Sequence, residues 1–320
     1  SLQSPSLSSW RKLFEVTKKF FDLAPWQWMD DSDIFGVRDP ETGVVNFCCI
    51  MGQAGEHYAL AVYLGDEGLK GYLQIATGVI DQENMDALHA QKCLMVSFQD
   101  KSYLMEEDRL IIKQLGLKFR DKNSWPLFRD YTPGFMPWLL DESQVRLLIT
   151  ATEQAIEVAL HFQNNTDLFS SPKRNAFFVR TLNKQDTDHR WFDEWVIPEI
   201  IDDDNLDALR RTATGIVDTS RLDKIKAAIR PYNGTWEIDY FYSPMPVGDQ
   251  RSRPFFPRTM LCVDSESFFI FGVHMLEPDA RPEAIREEVI NIIEKNEILP
   301  RIIAVKRSDL FALLHPLAVR

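Results

Sequence analysis

Apolar residues recur at helical spacing through Trp10, Leu13, Phe14, Val16, Phe20 and Phe21. That periodicity predicts an amphipathic helix, capped by Ser8 or Ser9 and stopped by Pro25. Alternation then takes over. Residues 34–37 and 44–50 flank Asp39-Pro40-Glu41-Thr42-Gly43, whose turn chemistry predicts a hairpin. Residues 57–63 and 93–98 read as further strands, with a helix carrying Leu69, Tyr72 and Leu73 between them. Glu106-Glu107-Asp108 places negative charge on the first turn of a helix that Gly116 ends. Residues 119–131 read as irregular or extended, and 133–138 as a stiff connector. Asp141 with Gln144 makes a capping box for a long helix reaching about Phe162. Its apolar face carries Val145, Leu148, Ile149, Ile156, Ala159 and Leu160, with Thr152 as the polar member.

Periodicity lapses over residues 163–174, which are polar and contain Pro172. A domain boundary belongs there, giving domains 1–165 and 166–320. Strands are expected at 176–180, 190–196 and 236–242, with a short helix at 206–211. The closing stretch has the clearest pattern. Residues 260–263 and 268–275 form two strands joined by Asp264-Ser265-Glu266-Ser267. Pro282 opens a helix with Ile285, Val289, Ile292 and Ile293 on one face, 302–305 is a strand, and Ser308 caps a last helix. Hairpins mixed with packed helices predict an α+β class, two domains each with a mixed or antiparallel sheet, the second ending in a ββαβα run.

Composition narrows the function classes. The 320 residues carry 36 Lys+Arg against 48 Asp+Glu, a net charge of −12. The two halves carry −8 and −4, so neither offers a basic face for a phosphate backbone, and no general nucleic-acid binding is expected. No apolar run is long enough to span a bilayer. Four cysteines, at 48, 49, 93 and 262, are too few for a secreted disulfide framework. The expectation is a cytoplasmic protein with buried, reduced thiols and no membrane partner.

Candidate chemistry is sparse. None of the six histidines, His57, His89, His161, His189, His274 and His315, stands at zinc-binding spacing. Gly65, Gly68 and Gly71 miss both phosphate-loop spacings, and Asp66 and Glu67 would repel a phosphate, so these glycines read as turn and packing positions. Asp30, Asp31 and Asp33, and likewise Asp202-Asp203-Asp204, read as capping and solvated acids. The ββαβα run is similar to the ribonuclease-H-like core. In that core, carboxylates from several elements hold two divalent ions. The resemblance nominates Asp264, Asp309 and Asp239 as catalytic acids, with turn chemistry as the competing role for Asp264. No cofactor and no resident metal site is expected.

Rings and prolines are the other signal. Trp26, Trp28, Trp125, Phe128, Tyr131, Phe135 and Trp138 lie in segments without regular periodicity. Such rings either pack over a core or form a binding surface, and the two domains are expected to dock through these loops. Arg251, Arg253 and Arg258 around Pro254-Phe255-Phe256-Pro257 make a local basic spot that fits an acidic peptide or the acidic first domain.

The stretches PWQWMDDSDIFGVRDPETGVVNFCCIMG, YLGDEGLKGY and NSWPLFRDYTPGFMPW, with RPFFPRTMLCVDSES and FGVHML further on, resemble an uncharacterised bacterial two-domain family. The resemblance implies two domains and bacterial origin and transfers no chemistry. The reading is a non-enzymatic interaction or accessory module whose partner is another protein. The alternative is a divalent-metal-dependent nuclease-like, or degenerate ribonuclease-H-like, C-terminal domain.

Overall fold

The computed structural model describes residues 4–81, 83, 85–183, 190–200, 218–248 and 252–319. It divides into two compact units. The first holds Ser1–Pro133 and Pro137–Ile200, the second Gly134–Met136 and Ile201–Arg320. Each contains one sheet with packed helices, an α+β architecture.

The first unit runs α1 (Leu7–Leu23), β1 (Phe35–Arg38), β2 (Val45–Met51), β3 (Ala59–Tyr63), α2 (Gly65–Ala76), α3 (Met85–Ala90), β4 (Cys93–Gln99), α4 (Glu106–Gln114), β5 (Trp125–Tyr131), α5 (Glu142–Asn164), β6 (Phe177–Leu182) and β7 (Trp191–Val196). The sheet order is β5-β4-β3-β2-β1-β6-β7. β1 and β6 are parallel, and the other neighbours are antiparallel. Because side chains alternate across a pleat, adjacent Cys48 and Cys49 enter different cores. Cys48, Ile50, Leu60, Val62, Leu94 and Val96 meet Leu13, Phe14 and Phe20 of α1 and Val145, Leu148 and Ala155 of α5. Cys49, Ala59, Ala61, Tyr63, Cys93 and Met95 face the opposite way, beside Leu69 and Tyr72 of α2. Both faces are therefore covered, at roughly 1.5–3 kcal/mol for each large apolar side chain fully buried.

Local signals decide the helix ends. The Gln144 N–H donates to Asp141 Oδ1 and the Asp141 N–H to Gln144 Oε1, each at 2.9 Å, closing the expected capping box. The α1 cap is Ser6, whose Oγ accepts from the Ser9 N–H at 3.1 Å, so the helix starts before Ser8 and Ser9. The second half of the irregular stretch at 119–131 is β5, paired along its length with β4. Pro126 is tolerated there because β5 is an edge strand.

In the second unit, α6 (Thr219–Ala228) precedes β8 (Pro231–Tyr242), β9 (Arg258–Asp264), β10 (Ile270–Leu276), α7 (Pro282–Asn296), β11 (Leu299–Ala304) and α8 (Ser308–Ala318). The sheet order is β10-β9-β8-β11, with β11 parallel to β8 and the rest antiparallel. The ββαβα run is present, and β8 supplies a third strand in front of it. Trp236, Ile238, Tyr240, Met260 and Cys262 form the inner face, packed with Ile285, Val289, Ile292 and Ile293 of α7 and Leu310, Leu313 and Leu314 of α8. Ser308 is the first residue of α8, and the cap position falls on Arg307.

The division between units falls after Ile200 rather than at 165/166. The polar stretch at 163–174 links two parts of one unit, since β6 pairs with β1 and β7 with β6. The expected helix at 206–211, the acids Asp202–Asp204, His189 and Arg251 lie outside the described residues.

Candidate functional site

The three nominated acids do not gather. Asp264 pairs across the ladder with Trp236, and Asp239 with Leu261. Directly opposed residues share a face, so Asp264 projects inward with Trp236. Asp239, three positions along β8, projects from the exposed outer face. Three positions span about 10 Å at the usual strand rise, and the sheet itself lies between the two side chains. A two-metal centre needs its ions about 4 Å apart with shared ligands, so this pair cannot form one.

Each acid has local work. Asp264 is 1% exposed. Its Oδ1 accepts from the Ser267 N–H (2.7 Å), Ser267 Oγ (2.8 Å) and the Glu266 N–H (3.2 Å), and its Oδ2 accepts from the Tyr232 hydroxyl (3.0 Å). The donors at Ser267, followed by Tyr232 and the Glu266 N–H, hold its carboxyl below the usual range despite an opposing desolvation effect. It is the organising residue of the β9–β10 turn. Asp309 in the first turn of α8 receives both Arg307 nitrogens, at 3.0 and 2.7 Å. Burial pushes its pKa up, but the Arg307 fork and the Leu310 N–H outweigh burial and leave it lowered. Asp239 Oδ1 accepts the adjacent Tyr240 N–H. Among the described residues no group of three or more His, Cys, Asp or Glu is placed to hold a metal ion.

The aromatic candidates divide by unit. Trp26 is buried among Phe20, Phe21, Tyr58 and Phe98. Trp28 Nε1 donates to the Ala159 carbonyl of α5 at 3.0 Å. Trp125 packs on Phe119, with Lys101 Nζ 5.6 Å from its ring centre. Tyr131 borders the core around Cys93, and Trp138 exchanges two backbone hydrogen bonds with Asp130. All five lie in the first unit, with Trp26 buried and the other four partly exposed. In the second unit, Phe135 forms a bridge with Phe255, and Arg253 donates to the Met136 carbonyl at 2.7 Å with its guanidinium over the Phe135 ring. Arg258 lies over Tyr240 and Tyr242. The basic spot is thus engaged by its own unit at both described arginines.

The exposed apolar surface lies elsewhere. β10 is an edge strand whose apolar residues continue onto the outer face, with Val273 55% and Met275 63% exposed. Beside them, Phe268 at the turn is 80% exposed and holds φ at 59°, a left-handed backbone that a bulky side chain rarely adopts. β10 carries no Lys, Pro or acidic residue; of the usual guards of a sheet edge it has a register shift between Ile270 and Gly272, ahead of Val273 and Met275. In the sequence this region registers only as a strand. The available signal is that FFIFGVHML is apolar at positions of both parities, more than a one-sided strand needs.

Among the described residues no helix is long and apolar enough to cross a membrane. No curated protein and no solved structure matches the chain. Residues 221–320, within the second unit, match the family described as Domain of unknown function (DUF6930). Residues 10–180, more than half of the 320, match the family described as Domain of unknown function (DUF7309), and the chain belongs to that family.

Proposed function

We propose that the protein is a non-enzymatic accessory module of a bacterial cytoplasm that acts by binding another protein along β10. The observation that carries this reading is the exposed apolar edge, free of Lys, Pro and acids past the irregularity at Ile270–Gly272, with the strained Phe268 at its end. A partner segment added as a further strand would pair with the edge beyond Phe271, whose carbonyl accepts from Asn296, and cover Val273 and Met275. Its chemistry follows from the neighbourhood. Glu237 and Asp239 are exposed on the outer face of β8 and the chain carries −12, so the fitting segment alternates apolar with basic residues. A second copy of this chain would bring the same acids and be repelled.

The test is hydrogen exchange of the full chain with an extended peptide alternating Val and Lys. Slowed exchange at Ile270–Leu276, lost in Val273→Lys, supports the reading. Unchanged exchange there, or a dimer that Val273→Lys abolishes, overturns it.

A second reading is favoured by the strand order. Three antiparallel strands, then α7, then β11 returning parallel beside β8, is the arrangement that a degenerate ribonuclease-H-like unit would have. With Asp239 and Asp264 on opposite faces, such a unit retains shape without the metal chemistry. DNA and RNA incubated with the protein and Mg²⁺ or Mn²⁺ should stay intact; metal-dependent cleavage lost in Asp239→Asn would restore the catalytic version.

A further inference from the structure

A cavity of about 430 Å³ opens on the α2–α3 side of the first sheet, inside the size range of small-molecule sites. Sequence and topology explain why it is hollow. Alanines occupy Ala59 and Ala61 of β3, between Cys49 and Met51 of β2 and Met95 of β4, so the strand leaves space there until Tyr63 at its end. Two phenol rings close one side. Tyr63 and Tyr72 meet at 5.2 Å between ring centres, tilted by 56°. The Tyr72 hydroxyl donates to the Asp31 carbonyl at 2.7 Å. Tyr63 is 7% exposed and its ring lines the cavity.

The charge at the rim sets the ligand class. No Lys or Arg lines the cavity among the described residues, and Asp31, exposed at its mouth, has no ion-pair partner among them. We propose that this cavity is a binding site for a small organic cation, an ammonium group on an aromatic or short apolar body. The tyrosine faces and the Met51 and Met95 thioethers accept the body and the cation, and Asp31 supplies the countercharge. The Cys49 thiol reports the same field. Burial first, then Asp31, Asp30 and Asp33, push it up to about 12, a surrounding that disfavours added negative charge.

The test is calorimetric titration of the full chain with phenethylammonium and tetramethylammonium, against phenylacetate and phenethyl alcohol as anionic and neutral matches. Phenethylammonium is expected to bind more tightly than phenethyl alcohol, tetramethylammonium to bind detectably, and phenylacetate not to bind. Asp31→Asn should weaken phenethylammonium roughly tenfold, about 1.4 kcal/mol, with an unchanged melting temperature. Ala76→Phe, which narrows the mouth from α2, should weaken both ammonium probes. Absence of ammonium binding, equal binding of phenylacetate, or an Asp31→Asn variant with full affinity would overturn the proposal. Val273→Lys should leave these affinities untouched, which keeps this site separate from the β10 reading.

Discussion

Arg129 of β5 and Asp108 of α4 meet through two parallel hydrogen bonds, Nη1 to Oδ1 at 2.9 Å and Nη2 to Oδ2 at 2.5 Å, with both side chains buried. Asp108 Oδ2 also accepts the Met105 N–H and so caps α4. Removing one member leaves a buried charge, at a cost of about 3–5 kcal/mol. Arg129→Met should therefore lower stability by that amount in denaturant unfolding. Arg129→Met with Asp108→Leu should lose less than the sum of the two single variants. Additive losses would mean that the pair is not coupled.

Asp264 makes the second unit sensitive to acid. Its folded pKa lies below its ordinary value because Ser267, then Tyr232 and Glu266, donate to the carboxylate. Stability from a lowered carboxyl is present above the unfolded pKa, about 3.9, and is lost as pH falls through the lower folded value. Unfolding midpoints measured from pH 6 to pH 2 should therefore drop less in Asp264→Ala than in the parent, with the variant already weakened at pH 6. Parallel curves would remove Asp264 from the acid response.

Gly71 fixes the seat of α3. A Cβ there would stand 1.9 Å from the Ala90 carbonyl oxygen, a main-chain atom that has no rotamer through which to escape. Gly71→Ala should destabilise by about 1–3 kcal/mol or more through forced backbone shifts. At Gly116, where nothing lies within 4 Å but φ is +69°, alanine should cost only the strain of the left-handed backbone, on the order of 1 kcal/mol. Thermal unfolding of both variants tests the ranking.

All four thiols are buried. Burial pushes Cys262 up to about 12, raises Cys48 and Cys93, and together with Asp31, Asp30 and Asp33 brings Cys49 to about 12. Their contribution to stability is complete below the unfolded thiol pKa of about 8.5 and is lost as pH rises towards the folded values. Ellman's reagent at pH 8 should label no cysteine in the native protein and all four in denaturant. Rapid native labelling of any one would contradict its burial.

Local patterns were legible in the chain, and distant pairings were not. The Asp141–Gln144 box and the hairpin around residues 39–43 depend on neighbours within a few positions, and both stand where periodicity and turn chemistry put them. The place of β6 depends on Gly36 meeting Val179, and no local feature of a Phe-Phe-Val-Arg strand names its partner. The candidate acids show the same limit. Turn chemistry at Asp264 is visible in Asp-Ser-Glu-Ser, but its separation from Asp239 follows from a cross-strand register that spacing does not reveal. Trp26 and Trp28 sit in an aperiodic segment because their partners come from α1, Tyr58 ahead of β3, β4 and α5 rather than from their own stretch. The cavity beside Tyr63 draws its wall from β2, β3, β4 and α2 and its rim from Asp31, so no motif encodes it.

The parallel ladder between β1 and β6 also orders events during synthesis. Until residues 177–182 leave the ribosome, one side of β1 has no partner, and the nascent sheet presents it as an adhesive margin. Loop closure of that span comes late, as it does wherever sequence-distant strands must meet. A chain cut near residue 165 would keep that margin permanently, so the matched stretch ending at residue 180 marks a sequence boundary and the last strands of the unit lie at or beyond it.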